Sequence, residues 1–296
     1  MQKHRTRVVC SAMLVVALAA LSLAGTAQAK LTGAYTRFAQ CPYTNATVET
    51  CLFSVTESGE VVLGSKKVPI ENPVTLQGGA TELNETEGFQ KFVAATNGVT
   101  LSKSPQNVPG GVLGIVPEAS QPPLVKALFK FFFENKLTEL KSTLELAKPA
   151  SEIRVNQFAL AAEEGIALKL PVKVHLENPF LGKNCYVGSS GSPINWNLTT
   201  GATSPPGPNT SISGFGGEGE FLEGARIIQL KNNKLVDNAW SAPAATGCGG
   251  ILGFLVNPIV NGQLGTTTAG HNTAILKGTV STATAFAVNK NNKENP

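Results

Sequence analysis

Leu52-Phe-Ser-Val-Thr-Glu-Ser-Gly-Glu-Val-Val-Leu-Gly64 is the stretch of sequence that decides the fold class. It is rich in β-branched and apolar residues, which fit the pleated, half-buried surface of a sheet. Glu57-Ser58-Gly59 in its middle has the composition of a turn. The apolar pattern continues to Ile70 and stops at Asn72-Pro73, because the residue before a proline is steered away from helical backbone. The stretch therefore predicts strands joined by a turn at 57–59.

Segments of the same kind recur along the chain, with turn-forming residues between them. After the helix described below, strands are predicted at 152–160, 166–176, 194–199, 225–230, 234–238 and 273–288. Many short strands without alternating helices predict a mainly β protein, an antiparallel sandwich or an irregular barrel. The β-rich domain spans 30–288, as one unit or as two subregions, 30–118 and 149–288. The polar residues 289–296 predict a disordered tail.

One inserted helix, amphipathic and aromatic, is predicted at about 121–147 and joins the two subregions. Ser120 is a suitable N-cap, and Pro149 prevents continuation. The first half is apolar on almost every side, whereas the second half has a single apolar stripe. Its core, the candidate hydrophobic binding surface, is Leu128, Phe129, Phe131, Phe132 and Phe133. The alternative is that these rings only close the end of the β domain. A shorter helix is predicted at about 251–262.

The beginning of the chain predicts an export signal at 1–29. Lys3, Arg5 and Arg7 precede an apolar run, and Ala27-Gln28-Ala29 is a cleavage site of the A-x-A type. Removing those three cations from the 24 basic residues leaves 21 against 20 acidic ones. A nearly neutral mature chain gives no reason to expect nucleic-acid binding. No later stretch is long and apolar enough to span a membrane. The prediction is a secreted or cell-envelope protein.

Four cysteines follow the signal: Cys41, Cys51, Cys185 and Cys248. An even number in an exported protein predicts two disulfides, with three pairings possible. The favoured pairing is Cys41–Cys51, around a short polar loop, and Cys185–Cys248, around a long one. The competing interpretation is a metal site, but no C-x-x-C spacing occurs and the mature chain holds only two histidines. No metal or cofactor is therefore predicted.

The sequence contains no pattern that assigns a catalytic residue. No G-x-S-x-G stretch is present, and a Ser-His-Asp arrangement would have to draw on His175, His271 and Asp237. Phosphate-binding and calcium-binding loops are absent. No catalytic residue is named and the protein is not predicted to be an enzyme, although a hydrolase with an unrecognised site is kept as an alternative.

Three stretches carry a resemblance: Leu176-Glu-Asn-Pro-Phe-Leu-Gly-Lys-Asn-Cys-Tyr-Val-Gly188, Leu198-Thr-Thr-Gly-Ala-Thr-Ser-Pro-Pro-Gly-Pro-Asn209 and Leu235-Val-Asp-Asn-Ala-Trp-Ser-Ala-Pro-Ala-Ala-Thr-Gly-Cys-Gly-Gly250. The chain resembles a family of exported proteins of unknown activity from actinobacteria. The resemblance implies a bacterial, extracellular setting and no particular chemistry.

The functional hypothesis is a secreted or envelope β protein that binds a hydrophobic small molecule, a lipid or an envelope partner. The first alternative is a structural or matrix protein of the envelope without a ligand site, and the second is an extracellular hydrolase. An apolar cavity beside the aromatic helix distinguishes the first two, because only a ligand-binding protein requires one.

Overall fold

A long antiparallel sheet organises the part of the chain that this computed structural model describes, residues 30–111 and 139–295. In chain order its 14 described strands are β1 (Thr50–Leu63), β2 (Lys66–Pro69), β3 (Val74–Asn84), β4 (Phe89–Ala94), β5 (Pro105–Asn107), β6 (Lys141–Leu146), β7 (Arg154–Val155), β8 (Leu168–Glu177), β9 (Tyr186–Val187), β10 (Ile194–Leu198), β11 (Glu218–Leu222), β12 (Ile227–Asp237), β13 (Ala245–Thr246) and β14 (Thr273–Thr284). The prediction of a mainly antiparallel β fold is confirmed.

The strands follow the order β11-β12-β14-β1-β3-β4-β7-β8-β6-β5. β2 pairs with β1, β9 and β10 pair with β8, and β13 pairs with β9. Within the described residues the two ends of this path, β11 and β5, do not pair with each other, so the sheet is not closed into a barrel. Strands from both sides of the undescribed segment 112–138 belong to this one sheet.

The main hydrophobic core joins two parts of the sheet, the part around β1 and β3 and the part around β8 and β6. These parts are called the two halves of the sheet below. Leu52, Leu63 and Leu76, from β1 and β3, belong to the same buried cluster as Leu170 and Val172, from β8. The halves therefore face each other across shared apolar side chains, as in a sandwich.

Three α-helices lie among the described residues: α1 (Gln157–Ala162), α2 (Gly253–Leu264) and α3 (Ala285–Glu294). Three short 3₁₀ helices accompany them, at Gly33–Phe38, Ala150–Glu152 and Gly250–Leu252. The helix predicted at about 251–262 is confirmed as α2, which continues through Pro258. The strands predicted at 152–160 and 273–288 are wrong in their second parts, which are helical in α1 and α3. Asn156 and Thr284 cap these helices, their side chains accepting from the N–H groups of Ala159 and Ala287.

The turn predicted at 57–59 is wrong, because β1 runs without a break from Thr50 to Leu63. The register with β14 shifts between Thr56 and Ser58, which is a β-bulge. Gly59 has φ +128°, and a Cβ there would collide with the backbone carbonyl of Ile275. The residues that looked like a turn therefore form a β-bulge, and Gly59 allows β1 and β14 to approach closely.

The second half of the predicted helix 121–147 is also corrected. Residues 121–138 lie outside the described residues, but Lys141–Leu146 is β6, paired with β8 on one side and β5 on the other. The spacing of Leu140 and Leu144 fits one face of a strand as well as one face of a helix. Pairing with β8, distant in sequence, overrides the local preference.

Ion pairs on the outer face of β6 stabilise the strand conformation of residues 141–146 over the predicted helix. Glu145 is buried, with its carboxylate 3.0 Å from Lys103 Nζ and 3.3 Å from Lys173 Nζ. Burial acts to raise the pKa of Glu145, but the two lysines outweigh it and hold that pKa below its ordinary value. These contacts cross three separate parts of the chain, so local sequence patterns do not reveal them.

The tail predicted to be disordered is helical through Glu294. Val288 of α3 is fully buried in a second apolar cluster with Tyr35 and Phe38 of the first 3₁₀ helix. The Asn291 side chain accepts a hydrogen bond of 3.0 Å from the backbone N–H of Thr32. The polar composition misled the prediction because the buried residues of α3, Ala285 and Val288, lie just before the tail, and the helix that they anchor continues into it.

Candidate functional site

The candidate site is an apolar cavity between the two halves of the sheet. Its described wall comes from β1, β2 and β3 on one side, from β6, β8 and β10 on the other, and from α2, with one residue each from β5, β12 and β14. Its volume, counted as the space that the centre of a water molecule could occupy, is about 120 Å³. A single water molecule needs only about 10–15 Å³ by that measure, so the cavity has room for a ligand.

Regular strand alternation makes one wall of this cavity. Ser142 and Leu144 of β6 and Val174 and Leu176 of β8 line it, whereas Glu145 and Lys173 form an ion pair on the opposite face. Because successive side chains of a strand point to opposite faces, each strand supplies an apolar wall inside and a polar surface outside.

The bulge in β1 makes the other wall. Ser54 and Thr56 line the cavity before the bulge, whereas Val61 and Leu63 line it after the bulge. A strand without the bulge would place one of these pairs on the opposite face, because a shift of one residue exchanges the two faces. The bulge therefore lets both halves of β1 face the same cavity.

Trp196 is the largest side chain in the wall and is 1% exposed. Its ring meets Trp240 edge to face, with centroids 5.9 Å apart. The indole N–H of Trp240 donates to the Asp237 carbonyl at 3.2 Å, whereas the indole nitrogen of Trp196 has no hydrogen-bond partner in the described structure. Buried indoles usually find an acceptor. Trp196 therefore contributes to the wall through the packing of its apolar ring and not through a hydrogen bond.

Lys66 is the one charged residue among the described residues of the wall. It is half-buried at the beginning of β2, and its Nζ lies 3.5 Å from Oε1 of Gln263 on α2, another wall residue. Gln106, also in the wall, uses its side chain within the fold: its Oε1 accepts from the backbone N–H groups of Glu71 and Asn72. Lys66 and Gln263 thus form the polar end of the site.

Helix α2 is apolar on two sides. Val260 and Leu264 line the cavity, while the outward face exposes large apolar side chains, among them Phe254 at 72% and Ile259 at 53%. The side chain of Asn261 binds the helix to β13. It accepts from the Ala245 N–H at 2.7 Å and donates to the Ala245 carbonyl at 3.1 Å. The helix is therefore held as a fixed part of the cavity wall.

Both predicted disulfides are confirmed, with the predicted pairing. Cys41–Cys51 and Cys185–Cys248 have Cα–Cα distances of 5.5 and 4.1 Å. Cys41–Cys51 lies in the second apolar cluster, where α3 packs against the first 3₁₀ helix. Cys185–Cys248 lies in the main core.

The predicted binding residues, which are Leu128, Phe129, Phe131, Phe132 and Phe133, lie outside the described residues. The described wall includes Val108 and Gly111 before that segment and Leu140 after it. Leu140 and Leu144 of the wall were noticed in the sequence only as part of a helical apolar stripe. The alternation within 166–176 was the other signal, and it marks an apolar face without showing what that face contacts.

The structure separates the residues weighed for catalysis. His175 stacks on Tyr186, with Nε2 3.0 Å from the Lys183 carbonyl and Nδ1 3.5 Å from Glu177 Oε1. His271 is exposed, and neither histidine lines the cavity. No group of three or more His, Cys, Asp or Glu side chains suited to a metal occurs in residues 30–111 and 139–295. None of the helices that the structure describes could cross a membrane.

Asp237 is a buried carboxylate at the end of β12. Its Oδ2 accepts from the Asn197 N–H at 2.6 Å and its Oδ1 from the Ala239 N–H at 3.0 Å. Burial raises the pKa of Asp237 above its ordinary value, and the two N–H groups oppose this shift only in part. The carboxylate ties β10 to β12 and has no catalytic partner among the described residues.

We expect the Asp237 carboxyl to titrate above about pH 3.9, the ordinary value for aspartate. Because the folded state then binds this proton more tightly than the unfolded state, its contribution to stability is complete below the unfolded pKa and is lost as the pH rises through the folded pKa. NMR of ¹³C-aspartate measures the midpoint without ambiguity, since the chain has one Asp. A midpoint at or below the ordinary value contradicts the expectation.

No protein-family model, no curated protein and no solved structure matches the chain. Fold and site therefore define its class on their own: a disulfide-bonded antiparallel β protein with an apolar cavity.

Proposed function

We propose that this protein is exported and binds an apolar ligand inside the cavity between the halves of its sheet. The cavity is the observation that carries the proposal, because a well-packed core leaves few voids larger than a water molecule. Valine and leucine side chains dominate its described wall, and such surfaces give water few hydrogen-bond partners. An apolar molecule is the occupant that suits this environment.

Export is part of the proposal. Two disulfides are typical of proteins that fold in oxidising compartments, and the signal-like residues 1–29 and the resemblance to exported actinobacterial proteins support the same setting. A purely structural envelope protein has no use for a cavity, so the cavity favours ligand binding over that alternative. The hydrolase alternative has no observation in its favour among the described residues.

The test is binding of N-phenyl-1-naphthylamine, a neutral dye whose fluorescence rises in apolar surroundings. We expect saturable binding of one dye per chain. Val61→Trp, which places an indole in the cavity, should weaken binding at least about tenfold, since blocking a cavity removes most of the buried contact.

Val62→Trp is the matched control, because Val62 is half-buried on the same strand but does not line the cavity. It should bind the dye as the unmodified protein does. Absence of saturable binding, or equal loss in both variants while circular dichroism shows both folded, overturns the proposal.

A further inference from the structure

Lys66 and Lys67 are neighbours with opposite surroundings. In β2, Lys66 and Val68 line the cavity, as does Ile70 just beyond it. Lys67 points the other way, and its Nζ lies 2.6 Å from Glu60 Oε2. This alternation is that of a strand, so it sets one lysine toward the site and the other toward an ion pair on the outer surface.

The Lys66 ammonium has no carboxylate within 4 Å in the described part of the chain; the Gln263 amide oxygen, at 3.5 Å, is its one polar side-chain contact there. The Gln263 amide nitrogen likewise has no hydrogen-bond partner among these residues. An anionic ligand group placed beside this ammonium would form a charge-assisted hydrogen bond with it. The site thus presents one positive charge and one spare amide donor.

From this placement we propose that the ligand is a long-chain carboxylate, with its chain in the cavity and its carboxylate bound by Lys66 and Gln263. This inference rests on the proposed function and names its ligand class. A carboxylate has two acceptor oxygens, and an ammonium and an amide N–H together satisfy both. One cation in the described wall matches one negative charge. The remaining wall is aliphatic, with few groups that would hydrogen-bond a polar chain.

The experiment displaces bound N-phenyl-1-naphthylamine with dodecanoate, dodecanol or dodecylamine, each below its micelle-forming concentration at neutral pH. We expect dodecanoate to bind most tightly, dodecanol more weakly and dodecylamine weakest. Lys66→Met should weaken dodecanoate about 10- to 100-fold, since hydrogen bonds to charged groups contribute more than neutral ones. The same variant should weaken dodecanol far less than dodecanoate, because a neutral alcohol forms no ion pair with Lys66, and Lys66→Arg should retain most of the preference for the acid.

Lys67→Met is the control for general charge, and it should leave every affinity unchanged. The inference is wrong if dodecanol binds as tightly as dodecanoate, or if Lys66→Met leaves the dodecanoate affinity unchanged. Lys66 would then contribute only the aliphatic part of its side chain to the wall. The proposed function survives that result because the dye and the alcohol still bind. If neither dye nor any of the three ligands binds, the proposed function itself fails.

Discussion

Replacing Cys185 and Cys248 by alanine is expected to lower the free energy of unfolding by about 4 kcal/mol. The bond closes a loop with a sequence separation of 63 residues, and cross-links of long loops restrict the unfolded chain most. It stands at the junction where β9 pairs with β13, and both cysteines are fully buried. Losing it frees the segment that leads into α2 and hence one wall of the cavity.

The other disulfide is the matched control. Cys41–Cys51 has a sequence separation of 10 residues, for which the same relation gives about 2.7 kcal/mol. Urea unfolding of the two double variants therefore should show the larger loss for Cys185–Cys248. Equal losses, or a larger loss for Cys41–Cys51, would mean that native packing around the bond outweighs the loop it closes.

Trp196→Ala is expected to lower the free energy of unfolding by about 3–5 kcal/mol, because the substitution empties a fully buried position. Trp196→Phe should cost clearly less. A phenyl ring retains much of the buried apolar surface, and the substitution removes an indole N–H that has no acceptor in the described structure. An unsatisfied buried donor costs about 1–3 kcal/mol, so its removal offsets part of the lost packing.

Phe254→Ala provides the comparison for this series. The Phe254 ring is 72% exposed on the outer face of α2, so its removal should change stability by no more than about 0.5 kcal/mol. All three variants are compared by urea unfolding at one pH. If the Trp196→Phe variant is as unstable as the Trp196→Ala variant, the assignment of an unsatisfied indole is contradicted.

Local sequence was enough to determine the class of the fold and its cross-links. Alternating apolar segments such as 166–176 predicted strands, because the period of two follows from strand geometry alone. The disulfide pairing followed from cysteine number and spacing. A short helix around 251–262 was also predicted, with Pro258 as an interruption, and α2 continues through that proline.

Tertiary structure decided which face of each strand turned inward. The bulge at Thr56–Ser58 depends on pairing with β14, more than 200 residues away in sequence. Residues 141–146 became a strand because β8 and β5 supply partners for both edges, and α3 is ordered by contacts with the beginning of the described chain. Each outcome depends on partners distant in sequence, whose contacts outweigh local propensity. The cavity and the position of Lys66 in its wall are consequences of those pairings.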